Sequence, residues 1–94
     1  MEELTKLIDN ALSDILPSIK IEITEIYNSP SKNDLRKLKA ITKNAIYGMV
    51  RGISEFTQIP YSVKNYRKLI KIQVRSAINR DNFEIIKTIK MRNK

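Results

Sequence analysis

The sequence predicts an all-α fold, a small bundle of four to five helices around one long central helix. Apolar residues recur at three- and four-residue steps along most of the chain, the spacing that gathers them on one face of a helix. Pro17, Pro30 and Pro60 and a few Asn/Ser stretches punctuate those runs. At 94 residues and 41% hydrophobic content, the chain carries one core and no second, so residues 1–94 read as a single domain. The alternative is α+β, with short strands near residues 19–24 and 70–74.

The first element spans about residues 2–16, where Leu4, Leu7, Ile8, Ala11, Leu12, Ile15 and Leu16 define a helical face. Glu2 and Glu3 fall in its first turn, where negative charge complements the helix dipole, and Pro17 is expected to end or kink it. From Ser18 to Tyr27 two patterns compete. Ile19, Ile21 and Ile23 alternate with polar residues as in a strand, whereas Ile19, Ile23, Ile26 and Tyr27 fit a helix. The helical pattern is preferred because its neighbours are helical. Asn28–Ser31 is a loop.

Ser31 and Asp34 then resemble a capping box, with Asp in place of Glu or Gln. Leu35, Leu38, Ile41, Ala45, Met49, Ile53 and Phe56 follow on one face until about Thr57, giving a helix over 32–57 that Pro60 closes. A third amphipathic segment, about 62–79, carries Val63, Tyr66, Ile70, Val74 and Ala77, although Ile70–Val74 also alternates as a strand would. Asn79–Asn82 supplies a turn and an N-cap. Phe83, Ile85, Ile86 and Ile89 form a last short helix, and 91–94 is expected to fray.

Charge is distributed unevenly. Residues 1–34 carry a balance of −4, residues 35–63 carry +4 and residues 64–94 carry +8. The last third should attract polyanions and the first should not. The chain has no Cys and no His, which excludes disulfides, thiolate or imidazole metal sites and histidine-based catalysis. No catalytic residue, metal, cofactor or small-molecule substrate is indicated. The acidic start is no secretory signal and no apolar run approaches a membrane span, so a cytoplasmic, non-enzymatic protein is expected. The basic helix also lacks the Trp/Phe-rich face of an interfacial anchor.

Two basic lines stand out. Lys64, Lys68, Lys71 and Arg75 share a narrow arc of the third helix with Arg67 at its border, opposite the apolar face. Charges at that pitch can meet successive phosphates without touching bases. On the long helix, Arg36, Lys39, Lys43, Tyr47 and Arg51 fall near a second line. Tyr47 there reads equally as a base-stacking residue or as a half-buried tyrosine at the rim of the core. Gly48 and Gly52, with Ala45, make a small-residue patch inside the same helix. It fits either a close helix crossing within the chain or a docking groove for a partner. The acidic residues of the first third read as a solvated face.

In general character the chain resembles the small, basic, Ile/Lys-rich helical proteins of hyperthermophilic archaea and their viruses. Through its size, helical content and the segment Lys64-Asn65-Tyr66-Arg67-Lys68-Leu69-Ile70-Lys71, it is similar to the small helical accessory subunits that bind an archaeal B-family DNA polymerase. That resemblance covers no matched functional residue. It implies docking on the polymerase and assistance with DNA contact. The residues themselves predict nucleic acid, DNA or RNA, as partner. A larger acidic protein or a second copy of the chain is the alternative.

Overall fold

A computed structural model describes residues 2–56 and 63–93, and among these it contains four helices and no strand. They are α1 (Glu2–Asn28), α2 (Asp34–Phe56), α3 (Val63–Asp81) and α4 (Phe83–Arg92). The fold is therefore all-α, and the strands considered for 19–24 and 70–74 do not form. The expected Pro60 stop, the Tyr61–Ser62 start of the third helix and Lys94 lie outside the described residues, as do the side chains of Glu2, Phe56 and Val63.

α1 overturns one expectation. Its 27 residues run through Pro17 instead of ending there. Pro17 is exposed, so its ring meets solvent rather than packed side chains. An interior proline costs a helix about 3 kcal/mol, chiefly by removing one backbone hydrogen bond. Against this, Leu4, Ile8 and Leu12 before it and Ile19, Ile23 and Ile26 after it are all buried in the same core. Each such side chain contributes about 1.5–3 kcal/mol on burial. A single uninterrupted face therefore wins.

No helix serves as a lone spine, since each of the four packs on the other three. The expected central helix, α2, is shorter than α1. The core joins the α1 face to Leu38, Met49 and Ile53 of α2, to Tyr66, Ile70, Val74, Ala77 and Ile78 of α3, and to Ile86 and Ile89 of α4. The Tyr66 hydroxyl shares a hydrogen bond with the Ser54 hydroxyl, fastening α3 to α2. At the opposite side Lys20 pairs with Asp81 at 3.7 Å. Both partners are partly exposed, so this pair contributes little.

The α3–α4 corner is a single residue, Asn82, which is buried. Its type suits the expected N-cap, but its side chain works in the other direction. Nδ2 donates to the Ile78 carbonyl at 3.0 Å, as does the Asn82 backbone N–H at 3.1 Å. The side chain thus closes the last turn of α3 and makes no cap bond to α4.

The expected capping box is present in part. The Ser31 N–H donates to Asp34 Oδ1 at 3.0 Å, the Ser31 hydroxyl donates to the same oxygen, and the Asn33 N–H donates to the Ser31 hydroxyl at 3.2 Å. Asp34 is buried all the same, and what completes its surroundings comes from the far end of the chain. Arg92 approaches Asp34 Oδ2 at 3.4 Å while donating to the carbonyls of Ile26 and Tyr27 at 2.8 and 2.9 Å. Its guanidinium also lies 5.4 Å from the centre of the Tyr27 ring, a cation–π distance. Asn93 reaches the same carboxylate. Arg92 and Asn93, within the stretch 91–94 expected to fray, therefore act as a clamp. It satisfies carbonyls at the end of α1 and neutralises the buried acid that opens α2.

Candidate nucleic-acid interface

The two basic lines are set by the packing of their helices. On α3, burial of Tyr66, Ile70 and Val74 rotates Lys64, Arg67, Lys68, Lys71 and Arg75 outward toward α2. On α2, burial of Leu38, Met49 and Ile53 leaves Lys39, Lys43, Tyr47 and Arg51 on the side that faces α3. All nine line one open groove of about 1600 Å³. Of the ten residues expected to contact nucleic acid, only Arg36 is missing from it. Arg36 is exposed on the first turn of α2.

The groove is apolar below and basic above. Leu38, Ile46, Val50, Ile78 and Ile86 contribute apolar surface, and among the described residues no Asp or Glu lines it. Among the described residues, Arg51 is the one groove cation held in an ion pair, to Glu55 at 3.2 Å and largely exposed. The other seven cations named above face solvent with no carboxylate partner among the described residues, a concentration of like charge that an anion would relieve. Tyr47 is 72% exposed, which removes the reading of it as a half-buried tyrosine at the rim of the core.

One basic lining residue escaped the sequence pattern. Lys90 of α4 borders the groove beside Ile86. The four-residue step from Ile86 to Lys90 was available as a signal. Its use depended on knowing that α4 folds back against the α2–α3 cleft.

Ala45, Gly48 and Gly52 lie on the other side of α2. They line a second groove of about 1210 Å³ between α1 and α2, with Asp14, Glu22 and Glu25 on its α1 wall. A Cβ placed on either glycine would meet nothing within 4 Å. The glycines are thus not at a tight helix crossing among the described residues, and that expectation is corrected. Asp14, Glu22 and Glu25 take part in this groove rather than in the basic one.

No helix of the described residues is long and apolar enough to cross a membrane. No known family model, curated protein or solved structure matches the chain.

Proposed function

We propose that this chain is a non-enzymatic, nucleic-acid-binding accessory protein that holds the sugar–phosphate backbone in the α2–α3 groove, largely independently of base sequence. The observation that supports the reading is convergence. Two basic lines at separate places in the sequence meet on one concave surface that, among the described residues, carries no carboxylate side chain. Clustering of this kind, in a chain of net charge +8, is the electrostatic footprint expected of a nucleic-acid binder. A role as a cytoplasmic subunit of a replication complex, as the resemblance to polymerase accessory subunits implies, is the setting we propose for it.

Fluorescence anisotropy with labelled DNA and RNA, from low to moderate salt, tests the reading. Binding should weaken steeply as salt rises, because each phosphate contact releases a counterion. Replacing Lys68, Lys71 and Arg75 together by Glu should reduce affinity by about 100-fold or more at low salt. Absence of binding at low salt, or an unaffected triple variant, would refute it.

The second groove favours one further reading, a protein-interaction or self-assembling role. Its acidic α1 wall and open glycines offer a basic helix room for close approach. Light scattering across ionic strength tests the self-assembling form of this reading, since a salt-independent monomer excludes it.

A further inference from the structure

We infer that the α2–α3 groove takes a single strand of nucleic acid, with the phosphates along α3 and the bases against α2. The inference rests on the nucleic-acid reading above and narrows it to a substrate class.

Size is the first argument. The molecule measures 44 × 21 × 17 Å. A duplex is as wide as the protein is across its short axes, so it could only lie over the rims. Its bases are paired and stacked inside, and the apolar groove surface around Ile46 and Val50 would stay unused. A single strand is thinner and exposes both a charged edge and apolar base faces. Grooves that bind it combine these two features.

The second argument is that the walls differ. Over its twelve residues, about 16 Å of helix rise, the α3 wall from Lys64 to Arg75 presents five cations. That is a match for a phosphate edge. The α2 wall interleaves its cations with Ile46, Tyr47 and Val50. A tyrosine as exposed as Tyr47 has a free ring face for stacking, and arginine beside it can add a cation–π contact. The groove runs along α2 from Leu35 to Ser54, about 28 Å of helix rise. This suits a site at the lower end of the roughly 4–16 nucleotides that comparable single-strand grooves cover. The Ser54–Tyr66 hydrogen bond joins the two walls at one point.

The division between walls makes the test specific. Anisotropy is measured with a labelled mixed-sequence strand of about 12 nucleotides, a length within the range of such sites, and with the duplex of the same sequence, across a salt series. The strand should bind about 10-fold tighter than the duplex, or more. Tyr47→Ala should weaken strand binding by roughly 5- to 100-fold at every salt concentration while leaving the salt slope unchanged. Tyr47→Trp, with its larger ring face, should strengthen it. Lys68→Gln and Lys71→Gln should each flatten the slope by about 0.7. Duplex binding as tight as the strand, or a Tyr47→Ala variant of wild-type affinity, overturns the inference and leaves the broader reading standing. If neither strand nor duplex binds at low salt, both fall together.

Discussion

Asp34 is a carboxylate with no exposed surface, and its charge survives burial because several donors converge on it. Burial alone pushes its pKa up. Hydrogen bonds from the Ser31 hydroxyl, from Asn93 and from the Ser31 N–H, together with the Arg92 charge, more than reverse this, so the net shift is downward. A carboxylate held below its unfolded value stabilises the fold above the ordinary aspartate range of about 3.9. That contribution is lost as pH falls through the depressed folded value. Melting curves from about pH 6 down to about pH 2 should show the wild type losing stability in acid. Asp34→Asn should be less stable at neutral pH and flatter over the acid limb. Half of this site was legible, since Ser31 and Asp34 stand three apart. Arg92 was not, because its partner lies 58 residues away and no local pattern reports such a contact. Gly48 and Gly52 offer a second residue-scale test. Alanine fits at both, so Gly48→Ala and Gly52→Ala should each stabilise α2 by about 1 kcal/mol in chemical denaturation. If the α1–α2 groove docks a helix, the same changes should weaken that association.

At the scale of elements, the sequence was ambiguous where a period of 2 and a period of 3.6 overlap over five residues. Ile70, Ile72 and Val74 would share one face of a strand. In the helix, Ile70 and Val74 are buried and Ile72 is 55% exposed, as a four-residue step requires. Ile21 repeats the pattern between buried Ile19 and Ile23, at 61% exposure. Helix boundaries were readable where capping chemistry marked them, as at Ser31–Asp34. They were misread at Pro17, because a proline's effect depends on whether both flanking faces share one core. Pro17→Ala restores a backbone N–H to a position that is already helical. It should therefore stabilise the protein, by up to about 3 kcal/mol, measured by urea unfolding. A loss of stability instead would show that the proline aids α1 in some other way.

For the whole molecule, charge is sorted into two grooves on opposite sides of α2, one rimmed by cations and one walled by acids. The charge gradient along the chain was plain in the sequence. Its division between two surfaces was not, because that depends on α2 standing between α1 and α3. Cations so close together repel one another in the folded state. Raising ionic strength from about 0.01 M to about 0.15 M, which shortens the screening length from about 30 Å to about 8 Å, should therefore raise the melting temperature. The triple Glu variant of Lys68, Lys71 and Arg75 should respond less, because its groove no longer carries charge of a single sign.

The one-residue corner at Asn82 restricts what sequences this fold can tolerate. An insertion or a deletion there changes the direction and register in which α4 leaves α3, because the corner holds a single residue. Either change would carry Lys90 out of the groove and swing Arg92 away from Asp34 in one step. Functioning descendants of this chain should therefore vary in side chains around the corner while keeping the count of residues between Arg75 and Arg92 unchanged.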